Sequence, residues 1–255
     1  MRLDKFLSNM GLGSRHDVHG IIASGSVSID GIVCKERDAK FDENSSIVTV
    51  NGVHIPYKPF VYIMLNKPAG YLSSTDDGSG PVVTDLLGGA YSSYRPGVAG
   101  RLDKDAEGLL LLTNDGDYIH KVITPEKHVA KQYFVKLKRE ITARDVVQFE
   151  RGIKLADGTQ LRPAKLESVS EENVRENGAE EGNTAAGVKC PCAIVTITEG
   201  KFHQVKKMFL ATDNEVKYLK RLSIGGLRLD GTLRPGEYKE LDPEEAKTAY
   251  EQADS

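Results

Sequence analysis

Four consecutive leucines, Leu109 to Leu112, stand between Gly108 and the polar sequence Thr113-Asn114-Asp115-Gly116. A short apolar run bounded by turn signals reads as a strand buried on both faces, which places it inside a covered sheet. The Asp115-Gly116 pair reads as a turn able to take positive φ. Ahead of the strand runs Gly97-Val98-Ala99-Gly100-Arg101-Leu102-Asp103-Lys104-Asp105-Ala106-Glu107-Gly108. This polar loop carries an arginine and three acids, and anchorage by a buried strand makes it a good place for chemistry. Arg-Leu-Asp taken alone reads as a charged surface turn.

At 255 residues the chain is long enough for one large domain or two unequal ones. Its three cysteines, Cys34, Cys190 and Cys192, make no paired framework, and no second pair or nearby histidine cluster completes a zinc site. Free thiols in a reducing cytoplasm are the simpler reading, and no metal is expected. The charged N-terminus leads into no long apolar run, so neither a signal peptide nor a membrane span is expected. The net charge of −3 excludes only a globally basic nucleic-acid binder; the charges themselves are segregated along the chain.

Leu3, Phe6, Leu7 and Met10 recur at helical spacing, and Gly11 and Gly13 end that helix. Ser14 caps a second helix with Asp17 in its first turn and Val18, Ile21 and Ile22 inward. Two short hairpins follow, turning at Asp30-Gly31 and Asn51-Gly52. This stretch resembles the S4 RNA-binding domain, through Arg2-Leu3-Asp4-Lys5-Phe6-Leu7, Gly13-Ser14-Arg15, Ser24-Gly25-Ser26-Val27 and Asp30-Gly31. The resemblance implies phosphate contacts from Arg2, Lys5 and Arg15, aided by the helix start at Ser14. His16, Asp17, His19 and Gly20 follow Arg15 where such domains carry further basic residues, so weak, salt-sensitive RNA contact is expected.

Pro56-Tyr57-Lys58-Pro59 reads as a stiff linker. Beyond it, strands are expected at Val61–Leu65, Lys131–Leu137, Ala164–Glu167 and Ala193–Thr198, with helices at Val82–Leu87, at Tyr118–Ile123 and after Thr142. Ser73–Pro81 suits a mobile, substrate-facing segment, and the acidic stretch 170–187 a long mobile hairpin loop. Glu199–Phe209 turns into a helix; Ile224–Leu229 and Pro235–Lys239 form strand and turn, and a frayed acidic helix follows Asp242. Two basic clusters stand out: Lys127, His128 and Lys131, and a run of Lys201, His203, Lys206, Lys207, Lys217, Lys220 and Arg221. Interleaved with Tyr133, Phe202 and Tyr218, they suit a nucleic-acid backbone and stacked bases.

Four blocks occur in order: Leu65-Asn66-Lys67-Pro68-Ala69-Gly70, Gly100-Arg101-Leu102-Asp103 with Gly108-Leu109-Leu110-Leu111, Lys131-Gln132-Tyr133, and Glu199-Gly200-Lys201-Phe202-His203-Gln204-Val205-Lys206. Together with the ending Ile224-Gly225-Gly226-Leu227 and Leu233–Tyr238, they resemble the RsuA-type family of rRNA pseudouridine synthases. That resemblance implies a cofactor-free isomerisation, in which the N-glycosidic bond of a flipped-out uridine breaks and the base is rejoined through C5. Asp103 is then the catalytic aspartate, either attacking sugar or base or abstracting a ribose proton. Tyr133 stacks on the target base, and Lys206 pairs with Asp103 and keeps it ionised.

Arg101 binds phosphate or orders the loop, and Lys67 with Pro68 shapes the pocket wall. Lys67, Lys131, Lys201, His203 and Lys207 complete the expected RNA contacts. Asp105 and Glu107 are read as loop or solvent charges.

The expected fold is α+β. A small N-terminal S4-like α/β RNA-binding domain at 1–57 precedes a catalytic domain at 58–242, with a mixed, mostly antiparallel sheet flanked by helices, and a tail at 243–255. Ser73–Asp77 and Glu199–Phe209 look most similar to the small-subunit members, which act on uridine 516 of 16S rRNA. The expected partner is ribosomal RNA or a pre-ribosomal small-subunit particle, met by a cytoplasmic monomer. A large-subunit target and a noncatalytic ribosome-assembly factor are the alternatives.

Overall fold

A computed structural model of the chain describes residues 1–75, 78–89, 91–169 and 191–251. Asp76, Asp77, Cys190 and the acidic stretch 170–187 lie outside the described residues. Two compact units form: Met1–Val61 with Leu87–Pro96, and Tyr62–Leu86 with the chain from Gly97 onward.

In the first unit, α1 (Leu3–Asn9) and α2 (Arg15–Ala23) cover a four-stranded sheet of β1 (Val27–Ile29), β2 (Ile32–Val33), β3 (Val48–Val50) and β4 (Val53–His54). The periodicity that predicts the helices also builds the core: Leu3, Phe6, Leu7, Val18 and Ile22 pack on Val27, Val48 and Val50. Ser14 and Asp17 close a reciprocal capping box at the start of α2. Asp30-Gly31 and Asn51-Gly52 have positive φ at both residues, as tight hairpin turns require. The excursion Leu87–Pro96 joins this unit, with Ser93 Oγ donating to the Asn9 carbonyl at 3.4 Å.

The second unit contains a nine-stranded sheet. Its strands are β5 (Tyr62–Lys67), β6 (Gly97–Ala99), β7 (Glu107–Thr113), β8 (Lys131–Leu137), β9 (Lys165–Val169), β10 (Cys192–Ile197), β11 (Val216–Ile224), β12 (Leu227–Arg228) and β13 (Tyr238–Leu241). The main order is β13-β5-β7-β11-β8-β10-β9, with β6 on β7 and β12 on β11. Among the described residues all pairs are antiparallel except β7 with β11, so the sheet is mixed and mostly antiparallel as expected. Strand β7 takes β5 along one side and both β6 and β11 along the other; Leu109 to Leu112 are all 1% exposed or less, Leu109 and Leu111 packing with Met64, Tyr118 and Val122. The described residues of this unit also form the helices α3 (Gly116–Ile123), α4 (Ala143–Arg151), α5 (Gln204–Leu210) and α6 (Pro243–Lys247).

Three expectations change. Asp115-Gly116 is not a positive-φ turn: Asp115 caps α3, accepting from the Tyr118 backbone N–H at 3.0 Å and from the Tyr62 hydroxyl at 2.8 Å. The helix after Asp242 is not frayed, because Ala246 and Ala249 are fully buried and the Tyr118 hydroxyl donates to the Ala246 carbonyl. Most consequentially, Lys220 and Arg221 are not surface base: they are buried in β11, an inner strand of the sheet, on which Lys217 alone of the three stays exposed.

Candidate active site

The hairpin from β6 to β7 carries Gly100–Ala106 at its bend, and nearly every carbonyl oxygen of that bend accepts a hydrogen bond. Arg221 on β11 reaches across from the parallel register Arg221–Gly108. Its Nε donates to the Leu109 carbonyl at 2.7 Å, Nη2 to Gly100 at 2.9 Å and Nη1 to Arg101 at 3.4 Å. Ser73 Oγ donates to the Leu102 carbonyl at 2.8 Å and accepts from the Leu102 N–H at 3.0 Å. Lys67 Nζ donates to the carbonyls of Ala106 at 2.8 Å, Pro68 at 3.0 Å and Lys104 at 3.2 Å. Two buried cations thus hold the two halves of one loop by its carbonyl oxygens, a placement that satisfies charges an apolar interior would otherwise reject.

Gly108 makes this possible. Strand β11 passes so close that a Cβ there would lie 2.3 Å from the Arg221 carbonyl oxygen, and the residue's φ of +98° disfavours a side chain independently.

Asp103 projects from the held loop toward α5. Lys206 Nζ meets its Oδ2 at 3.0 Å, and His203 Nε2 lies 3.4 Å from Oδ1. Lys206 also donates to Asp105 Oδ1 at 2.6 Å, so one ammonium bridges two carboxylates. Partial burial acts to lower the Lys206 pKa, but its bonds to Asp105 and Asp103 prevail and raise it. Asp105 is therefore more than a solvent charge, and Glu107 accepts from the Tyr218 hydroxyl at 2.8 Å.

The segment before α5 is itself braced. Glu199 and Gln204 are buried and bonded to each other at 2.8 Å, and Gln204 Oε1 accepts from the Lys201 N–H at 2.9 Å. Val205, Met208 and Phe209 face the core, with Phe209 against Phe149 of α4 at 5.0 Å. That orientation leaves Lys206 to the solvent-facing side.

Asp103, Tyr133, Lys206, Arg101, Lys201 and His203 all line one cavity of about 60 Å³. Tyr133, 7% exposed on β8, forms part of its wall. The cavity is a small recess beside the several hundred Å³ of a typical ligand pocket.

The remaining expected contacts lie elsewhere. Lys67 is fully buried and engaged with carbonyls, so it supports the loop instead of touching RNA. Lys131 is also buried, and burial followed by the Arg221 charge lowers its pKa to about 8; an RNA phosphate contact does not fit such a position. Lys207 is outside the cavity lining, over the Phe202 ring. Lys5 and Arg15 are exposed, whereas Arg2 forms a two-pronged pair with buried Asp4 at 3.0 and 2.8 Å. Lys220 and Arg221, read as surface base, are 5% and 2% exposed. Ser73 and Arg221 escaped sequence reasoning; the one available signal was the spacing of Arg221 among apolar residues, Leu219, Leu222 and Ile224.

The sequence signature of the RNA pseudouridylate synthases matches residues 61–211, and that of the S4 domain matches residues 1–47. The chain belongs to the RNA pseudouridylate synthase family. It is thus of the isomerase class, and the matched span holds the loop, Tyr133 and Lys206. Over 245 residues it is 46% identical to an uncharacterized RNA pseudouridine synthase of Bacillus subtilis, covering 96% of each chain. To ribosomal small subunit pseudouridine synthase A of Escherichia coli it is 36% identical over 255 residues, covering 96% of this chain and 98% of that one. Among solved structures, a pseudouridylate synthase aligns with a TM-score of 0.61 at 30% identity, covering 98% and 99% of the two chains.

Proposed function

We propose that the protein isomerises uridine 516 of 16S rRNA to pseudouridine, acting as a cytoplasmic monomer on rRNA or on a pre-ribosomal small-subunit particle. The observation that carries the reading is the Asp103–Lys206 ion pair at 3.0 Å in a cavity shared with Tyr133. A binding protein needs phosphate contacts and stacking; it does not need a carboxylate on a braced loop, paired with a lysine, in a recess walled by a tyrosine. The small-subunit target is supported by the name of the Escherichia coli relative and its near full-length match.

In this reading the target uridine leaves its stack and enters between Tyr133 and Asp103. The Asp103 carboxylate serves as nucleophile or as base, and Lys206 balances its charge before and after the step. The glycosidic bond from N1 to C1′ breaks, the base turns, C5 bonds to C1′, and the C5 proton is replaced by one at N1. Atoms balance without any co-reactant. Exposed Lys5 and Arg15 of the N-terminal unit supply additional phosphate contacts.

The test is a pseudouridine map of rRNA from cells carrying the wild type or Asp103→Asn. Loss of one pseudouridine, at position 516, is the expected result. A mutant that retains every site rejects the catalytic assignment, and loss of a large-subunit site instead rejects the target.

A further inference from the structure

Phe202 is 72% exposed, among the most exposed large apolar side chains of the described residues. It does not stand alone. Its ring stacks on His203 with centroids 3.8 Å apart and planes 20° from parallel, and Lys207 Nζ lies over it at 5.4 Å from the centroid. His203 in turn touches Asp103. The stack is therefore one ring beyond a side chain in contact with the reacting carboxylate, yet Phe202 itself does not line the cavity.

The backbone spends stability to arrange this. His203 precedes α5 with a φ of +53°, in the left-handed region, and provides no side-chain cap to the helix. Serine, aspartate or asparagine in extended backbone would be the stable choice there. The buried Glu199–Gln204 brace holds the unusual conformation in place, and its effect is to point two rings outward at the rim of the site.

Resting on the pseudouridine synthase reading, we infer that Phe202, backed by His203, is a stacking platform for the base of a nucleotide adjacent to the flipped uridine. The cavity takes the target; its neighbour, unstacked by the flip, needs a replacement surface, and an aromatic face accepts any base. Lys207 has the flexible stem to move off the ring and meet that nucleotide's phosphate. An aromatic ring beside a mobile cation is the chemistry of single-stranded RNA binding, and an apolar protein partner would leave Lys207 unpaired.

The test measures affinity of the full chain for an oligoribonucleotide spanning uridine 516, intact or abasic at the nucleotide on either side. Phe202→Ala is expected to weaken binding of the intact RNA by roughly 5- to 100-fold, and Phe202→Tyr to restore it. One of the two abasic RNAs should remove most of that penalty. Equal penalties on all three RNAs, or none on the intact one, overturn the platform. Wild-type conversion of uridine 516 in the same RNA is scored separately: equal or absent penalties on an RNA that is converted overturn the platform alone, whereas absent conversion rejects the target, and the platform is then read on the RNA spanning the uridine that the pseudouridine map identifies.

Discussion

Lys67 illustrates how a residue's chemistry is set by where its strand ends. It closes β5 opposite Gly108, and full burial lowers its pKa to about 8 against the pull of Asp105, Glu107 and Asp103. Its contribution is three donors to loop carbonyls, not charge to a polyanion. Replacing it by methionine keeps the volume and removes the donors, leaving buried carbonyls unmet at about 1–3 kcal/mol each. Because the Lys104 carbonyl keeps the Gly70 N–H, two carbonyls are left unmet, and Lys67→Met is expected to cost about 2–6 kcal/mol in urea denaturation. It should also slow single-turnover conversion of saturating RNA, because Asp103 rides on the loop it holds. A variant as stable as wild type would show that the carbonyls find other partners. Arg221 has the same role on the other half of the loop, so the carboxylate proposed as catalytic depends on two buried cations.

At the level of elements, chain ends and crossings matter more than strand interiors. Helix α4 begins in a second capping box, Thr142 with Asp145, and the Asp145 carboxylate also takes a two-pronged bond from Arg139 at 2.8 and 3.1 Å. The Arg139 bond, working against burial and aided by Thr142, holds the Asp145 pKa down at about 2. With the folded value below the unfolded one, this carboxylate stabilises the fold above about pH 4, and the benefit fades as pH falls toward 2. Asp145→Asn should cost about 2 kcal/mol near neutrality, shrinking toward zero at pH 2 in a pH series of urea midpoints. A penalty that stayed flat across that range would refute the ion-pair account.

The hairpin β6–β7 and strand β11 show the other kind of control. Their parallel contact at Gly108 is what lets one guanidinium reach both arms of the loop.

Across the whole molecule, a net charge of −3 coexists with base gathered at the cavity, where Arg101, Lys201 and Lys206 are among the lining residues. Local sign, not total charge, governs attraction of a polyanion. In the N-terminal unit Arg2 is engaged with Asp4, whereas Lys5 and Arg15 are exposed. Removing Lys5 and Arg15 together should reduce the slope of log affinity against log salt by about 0.7–0.9 for each phosphate that is no longer neutralised. The single-turnover rate at saturating RNA should hold. An unchanged slope would remove these two residues from the RNA interface.

The amino-acid order alone specified what local physics controls: helices α1 and α2 from their apolar spacing and cap, two hairpins from Asp-Gly and Asn-Gly, and a doubly buried leucine strand from its length and flanks. It also marked Asp103, Tyr133 and Lys206 as a set, through blocks shared with a family. Order in the chain carries no distance, however, between residues as far apart as Arg221 and Gly100. Only the tertiary structure turned a run of apparent surface base into an inner strand, converted Lys67 from RNA contact to loop support, and brought Ser73 to Leu102. The reason is common to all three. A polar side chain reads as exposed until a carbonyl or N–H from a distant segment meets it, and the packed sheet decides which segments meet.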